Sequence, residues 1–454
     1  MPYPGEFAHY KPLHRIVENE RVRKLLGEYE VRDASDRVDA LQALNPIHIE
    51  LNNWTPNHLI AIDGSHSEVD IKNGFPGAEA SYITVAAVII DVAKLKELDQ
   101  KRPISPKAFR STERAQSIDC ALPGCNVVKK GEIAAKASLR RAIFEVFQAI
   151  KLFSDGESLL DTYEALLKYK PMTERSQDCP YEDCPDEREY IRGEKQYFCS
   201  CDLSRMLYST DALRIHERMN PAGSNGAIFG EIMQTWEAIV IIHILRYLEQ
   251  KQYLSSLRRL AIILDGPLAI FGQPAWISQA IIKELSRINE LAKKVNKQDI
   301  LLMGVEKSGM FVEHFENLDK KEEGGFGNIP KQSVGLLTDS YIKENIVFSS
   351  NSKSSKIYGE ATYFGRKFFY KTSSGARLVG SLPFLSDYHR DMNTANTEQY
   401  PRLQDAVSLL NQLVSSRFSN AITPLVSANS EAAIPLNIGK KVLEKLAKEI
   451  MQGK

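Results

Sequence analysis

Two stretches of this chain repeat one pattern, a run of core-type apolar residues that ends in Asp-Gly. Leu59-Ile60-Ala61-Ile62 lead into Asp63-Gly64-Ser65, and the run from Leu260 to Leu264 leads into Asp265-Gly266-Pro267. A short apolar run bounded by turn residues reads as a buried strand. Two strands of one sheet, each carrying an Asp at its tip, set two carboxylates side by side. Like charges that close are costly unless a cation neutralises them, so the pair points to a divalent-metal site. Taken singly, Asp-Gly is also an ordinary turn dipeptide.

At 454 residues the chain is long enough for one large domain with insertions, or for two domains. Lys plus Arg and Asp plus Glu both number 58. No global field therefore draws in a polyanion, and any nucleic-acid surface has to be a local patch. The N-terminal MPYPGEFAHYKPLHR has no basic stretch before an apolar core. Of the apolar runs, Tyr82–Val92 is too short to span a membrane and Ala238–Leu245 is interrupted by His243. The expectation is a cytoplasmic protein with no membrane partner, whose six cysteines are free thiols or metal ligands.

In chain order, Pro12–Glu30 reads as an amphipathic helix with Leu13, Ile16, Val17, Val22, Leu25 and Leu26 on one side. After the strand ending at Asp63 come a Gly/Pro loop at Asn73–Pro76 and a β-rich run at Ser81–Val92. These two strands are close enough in sequence to be antiparallel neighbours. Lys101–Lys130 has no periodicity and reads as a long excursion holding Cys120 and Cys125 as structural thiols. Gly131–Phe153 reads as a helix with Ile133, Leu139 and Phe147 inward and Lys136, Arg140 and Arg141 outward. Further on come a helix at Gly230–Glu249, the Asp265 strand, a helix at Pro274–Val295 and a strand at Ile300–Glu306 running into Lys307. A short run at Val334–Leu337 ends in Thr338-Asp339. Antiparallel strands at Ala361–Lys371 and Ala376–Pro383 and two closing helices complete the chain. The expected organisation is an N-terminal helical segment (1–56), a first part of the main domain (57–153), a cysteine-bearing insertion (154–226) and the remainder of the main domain (227–454).

Within the insertion, Cys179 and Cys184 form a C-x4-C pair, followed after 14 residues by Cys199-Ser200-Cys201. Four thiolates in two close pairs supply the tetrahedral set that structural Zn²⁺ prefers, with no open position for catalysis. On the Gly230–Glu249 helix, Glu237 sits amid Trp236, Ile239, Val240 and Ile244. A carboxylate desolvated there protonates unless it has a partner. The same position also reads as a surface Glu at the helix edge, and Glu231 on the same helix is the fallback ligand.

Strands and helices mix, with carboxylates at strand tips and one on a buried helix. That combination predicts an α/β, ribonuclease H-like mixed sheet flanked by helices. The motifs AIDGS (Ala61–Ser65), the helix with Glu237, LDGPL (Leu264–Leu268), GVEKS (Gly304–Ser308), LTD (Leu337–Asp339) and YPRLQDA (Tyr400–Ala406) resemble, in order and rough spacing, those of the NurA nucleases. LYSTDALRIHERM (Leu207–Met219) resembles the bacterial branch with a cysteine-bearing insertion.

The resemblance implies a metal-dependent DNA nuclease, served by Mn²⁺ or Mg²⁺. It implies action on single strands and, with 5′-to-3′ polarity, on DNA ends. It further implies a homodimer working with a HerA-type hexameric ATPase in end processing or anti-phage defence. Asp63, Glu237 and Asp265 match the acidic core of the motif set, and Asp339 matches its later carboxylate. Asp63 is expected to bridge two cations with Asp265 and Glu237 to either side, Asp339 to hold a second site, and Lys307 to neutralise the scissile phosphate. The family commonly has a His after the alanine of its YP motif, and Val407 stands there; His314 and His216 are candidates to replace it in space. Two alternatives remain at this stage. One is a catalytically weak subunit acting as the DNA-binding partner of a translocase. The other is a zinc-stabilised nucleic-acid-binding protein whose Asp-Gly turns are only structural.

Overall fold

The computed structural model describes residues 10–29, 37–72, 77–97, 113–171, 176–181, 184, 187–189, 195–199, 205–321, 327–347, 354–414, 422–434 and 438–452. The expected turn at Asn73–Pro76, most of the Lys320–Gly327 loop and Cys201 lie outside the described residues.

Among the described residues thirteen strands occur in chain order: β1 (Ile47–His48), β2 (His58–Lys72), β3 (Ala78–Asp91), β4 (Glu113–Pro123), β5 (Ser176–Asp178), β6 (Glu187–Glu189), β7 (Gln196–Phe198), β8 (Met206–Tyr208), β9 (Leu260–Asp265), β10 (Leu301–Glu306), β11 (Ser333–Leu336), β12 (Gly365–Lys371) and β13 (Arg377–Pro383). Nine of them form one mixed sheet in the order β1-β11-β12-β13-β10-β9-β2-β3-β4. Its heart is an antiparallel meander, β2 to β3 to β4, joined on the β2 side by parallel β9 and then parallel β10. That is the ribonuclease H-like arrangement, here extended by four more strands.

Alternate residues of the central strands face opposite cores, as the two-residue period of a strand requires. Ile60, Ile62, Ile262 and Leu302 enter a large core roofed by the helices Ala135–Ala149, Leu159–Leu167, Gly226–Gln250 and Trp276–Asn296. Leu59, Ala61, Ile263 and Met303 enter a second core closed by the helices Leu403–Leu413 and Thr423–Ala432. The central helix, Gly226–Gln250, is apolar and long enough to cross a membrane, but 83% of its apolar window is buried inside the protein. A helix hydrophobic all round is here the core of a large domain.

The structure corrects several expectations. β2 does not end at Asp63: it runs on to Lys72, in continuous antiparallel register with β3 as far as Asp70 and with a register shift between Asp70 and Lys72, Asp63 opposite Ala86 and Asp70 opposite Glu79. Part of the aperiodic stretch 101–130 is an edge strand, β4, paired with β3 along its length. Pro12–Glu30 is two short helices, Lys11–Glu18 and Glu20–Gly27, divided where the Asn19 side chain accepts from the Arg21 and Val22 N–H groups and caps the second. Arg140 points inward, where its guanidinium pairs with Asp211 through bonds of 2.8 and 2.6 Å, both side chains buried. Ile133, expected inward, is 91% exposed. The helix Leu159–Leu167, at the start of the expected insertion, packs into the main core through Leu159, Tyr163 and Leu166.

Candidate active site

Strand register sets the site. β2 and β9 are parallel with Ile62 opposite Leu264, so the next residues, Asp63 and Asp265, stand level on adjacent strands. Both side chains lie on the face of Leu59, Ala61 and Ile263. Glu237 comes from the opposite face, where the central helix crosses β2. It reaches the pair because residue 64 is glycine: a Cβ there would lie 2.5 Å from Glu237 Oε1 and 2.7 Å from Met233 Cγ. The Gly64 N–H donates to Asp63 Oδ1 at 2.8 Å and also favours the charged form of Glu237.

Three acids are thus packed into little-hydrated space, with Asp63 6% and Glu237 5% exposed. Burial, reinforced by the neighbouring Asp265 charge, raises the Asp63 carboxyl from 3.8 to about 7. Burial, followed by Asp63 and Asp265, holds Glu237 well above the usual carboxylate range. Two cationic or polar groups oppose this. Lys307, one residue past β10, pairs its ammonium with Asp265 Oδ2. The amide of Asn429, on the helix Thr423–Ala432, lies against Asp63 and favours its charged form. Asp63 Oδ2 is buried with no hydrogen-bond partner.

An orphaned, buried carboxylate oxygen beside the Asp265 carboxylate fits a hard divalent cation such as Mg²⁺ or Mn²⁺, which takes oxygen ligands. Asp63 and Asp265 would hold it, with Glu237 behind them. Lys307 occupies part of that charge deficit and would have to release Asp265. The motif residues absent from this cluster are equally informative. Asp339 follows β11, four strands from β9 in the sheet order, or roughly 19 Å at about 4.8 Å per strand. Its carboxylate accepts from the Tyr358 N–H at 2.7 Å and pairs with Lys343 at 2.5 Å. The placement of Asp339 beside the other acids is therefore corrected.

Glu231 is turned away as well, taking Arg218 at 2.6 Å and the Gln273 N–H at 2.6 Å. His314 is hydrogen-bonded to the Tyr341 hydroxyl at 2.8 Å. His216 is buried on the short helix Ile215–Arg218. Neither histidine is among the groups acting on Asp63 or Glu237. Val407 is fully buried in the second core. Asn429 was not singled out in sequence: an exposed asparagine on a helix carries no motif, and only the packing of that helix on β2 reveals it.

The cysteines form a separate cluster. The ligand atoms of Cys179, Cys184 and Cys199 all lie within 4.8 Å of one another, the one such group of metal-ligating side chains among the described residues. The Cys184 and Cys199 sulfurs are 3.6 Å apart. Cys199 is disulfide-bonded, so a four-thiolate site needs that bond reduced. Cys120 and Cys125 lie elsewhere, on and just after β4, and burial raises both thiols.

A family model described as the NurA domain matches residues 58–415. No curated protein matches the chain. Among solved structures, the crystal structure of the NurA nuclease from Sulfolobus solfataricus is similar over 98% of this chain and 99% of that one. Its sequence identity is 10% and its TM-score 0.35. A second, described as the crystal structure of NurA, covers 97% of each chain at 10% identity and TM-score 0.28.

The crowding has a consequence measurable without turnover. Asp63 binds its proton more tightly in the folded chain, at about 7 against 3.8, so the folded state holds more protons between those values. The stability of metal-free protein is therefore expected to fall as pH rises from 4 toward 7 and to level off above it. Urea midpoints across that range should show the slope. Asp63→Asn should flatten it, and a midpoint that rises with pH through this range only because of Asp63 would refute the crowding.

Proposed function

The chain belongs to the NurA family, and on that premise we propose that it is a divalent-metal-dependent DNA nuclease working through Asp63, Asp265 and Glu237. Its nuclease-type function goes with the family. The observation that carries the site is the level placement of Asp63 and Asp265 on adjacent parallel strands, with Glu237 brought to them across Gly64. A bound Mg²⁺ or Mn²⁺ supplies the positive charge and the acidified water that phosphodiester hydrolysis needs. Asp63 and Asp265 hold and orient that charge. Glu237, whose hold on its proton is strengthened by burial, fixes the geometry from behind. Lys307 swings from Asp265 to the phosphate, where its ammonium neutralises an oxygen.

The substrate is DNA, cut endonucleolytically in single strands and from ends with 5′-to-3′ polarity, in end processing or anti-phage defence. A catalytically weak subunit is the second reading, favoured by Val407, which puts a buried valine where the family commonly has a histidine. Cleavage of linear DNA with Mn²⁺ separates the two. Asp63→Asn, Asp265→Asn and Glu237→Gln should each reduce the rate by about 100-fold or more, the scale of losing a charge contact to the transition state. Melting curves should be unchanged or improved. Wild-type cleavage by any one of them would remove that residue from the site.

The cysteine cluster we assign to one structural zinc, held by Cys179, Cys184, Cys199 and Cys201. Protein purified under reducing conditions should carry about one zinc per chain, and Cys199→Ser should lower the melting temperature before it lowers turnover. Reduced, unchelated protein without zinc would overturn the assignment.

The protein is a homodimer partnered by a HerA-like hexameric ATPase in the cytoplasm. The helices Lys11–Glu18 and Glu20–Gly27 bury none of their residues and expose Leu13, Ile16, Val17, Leu25 and Leu26, which suits them to docking the ATPase or to the dimer contact. Deleting residues 1–30 decides between these: lost ATPase binding with the dimer kept supports docking, and a monomer supports the dimer contact. End cleavage indifferent to the ATPase and to ATP would sink the partnership.

A further inference from the structure

Outside the acidic cluster a cavity of about 350 Å³ lies beside β12. That volume lies at the small end of the range for small-ligand sites, roughly 300–1,000 Å³. Its walls are aromatic: Phe311, Tyr358, Tyr363 and Phe384. Its lining also includes Lys367, which is 5% exposed. The Lys367 ammonium stands 3.7 Å from the Phe311 ring centroid and 4.9 Å from that of Tyr363. It is paired with Glu306 at 2.7 Å. The lining also holds the buried Arg366, and Arg390 together with Glu360, Asp387 and Asp391.

A buried Lys–Glu pair is a poor device for stability, because apolar residues of the same volume do as well or better. Its use is to keep a cation with three donors inside a box of ring faces. Glu306 faces that cation as its ion-pair partner. What fits is flat and apolar on its faces, carries acceptors on its edge and is itself uncharged, since the lining balances Arg366, Lys367 and Arg390 against Glu360, Asp387 and Asp391. A nucleobase has these properties, and base–aromatic stacking is how single strands are held without regard to sequence.

The position agrees. Glu306 ends β10 and serves Lys367, while the next residue, Lys307, serves Asp265 on the other face. Consecutive Cα atoms are about 3.8 Å apart, so the two sites share one strand tip. Resting on the nuclease reading above, we infer that this cavity receives one unstacked base of the DNA strand being cut, with Lys367 donating to an acceptor on the base edge.

The test uses full-length, metal-free protein, so that binding is read without cleavage, and fluorescein-labelled single-stranded 20-mers in which one abasic site is walked along the strand. One position should matter to wild type, weakening binding roughly 5- to 100-fold. Tyr358→Ala should weaken binding of the intact strand by a similar factor and become indifferent to that position. The double variant Glu306→Gln/Lys367→Met should behave likewise, covering the case in which Tyr358→Ala fails to fold. Wild type indifferent to every abasic position, or variants as position-sensitive as wild type, would overturn the pocket. Adding Mn²⁺ to the same strands separates the two readings. Cleavage without any base effect removes the pocket and leaves the nuclease. A Tyr358-dependent base effect without cleavage removes the nuclease and leaves a base-binding site.

Discussion

The parallel pairing of β2 with β9 is the interaction on which the rest of this molecule depends. It puts Asp63 level with Asp265, and strands about 4.8 Å apart leave two carboxylates no room to avoid each other. Once that pairing is made, the other features follow as ways of living with it. The central helix must be apolar enough to bury and yet bring a third acid, Glu237. Gly64 must lack a side chain so that the helix can lie close enough. Lys307 must leave the tip of the next strand at the level of Asp265. Such an arrangement is costly as a means of holding a fold together.

Without a cation the crowding is relieved in two ways that differ in kind. Protons are retained, as the upward shifts of Asp63 and Glu237 describe. Fixed polar groups also share the load: the Gly64 N–H, the Lys307 ammonium and the Asn429 amide. The last of these comes from beyond the matched span 58–415. The helix that carries it packs Leu425 and Ala428 into the second core beside Leu59 and Ala61, and Ser427 reaches Glu113 on the edge strand. The chain after residue 415 is therefore part of the acidic site and not an appendage to it.

What the sequence revealed and what it hid divide along physical lines. Buried strands and the central helix were legible because apolar periodicity is local: LIAI, LAIIL and the run around Trp236 need no distant partner to be recognised. Asp63, Asp265 and Glu237 were legible through their motifs. The Asp-Gly of β2 was misread as a strand end because glycine there answers a close approach by Glu237, not a turn. β4 was missed because an edge strand with Arg114, Gln116 and Asp119 outward has little apolar alternation to show. Arg140 looked like a solvent charge since its partner, Asp211, lies 71 residues away. Asp339 stands in the right order along the chain, yet order says nothing of lateral place in a sheet, and three strands lie between β11 and β9.

The segment between the two halves of the main domain is joined to the site by structure rather than by chemistry. The bidentate Arg140–Asp211 pair anchors its end to the helix Ala135–Ala149. Tyr181, between the first two cluster cysteines, lies 5.1 Å under the same guanidinium. From there Arg218 reaches Glu231, and Glu231 holds the Gln273 N–H at 2.6 Å. That contact holds the loop leaving Asp265, and Glu231, nearly two turns before Glu237 on the same helix, faces a different way. A disturbance at the cysteines is thus transmitted first to packing and then to the path of the chain after β9. The three acids keep their own register, because strand pairing fixes Asp63 and Asp265 and the central helix fixes Glu237. The contacts of this segment thus reach the loop after β9 without setting the level of Asp63 and Asp265, which the pairing of β2 with β9 fixes.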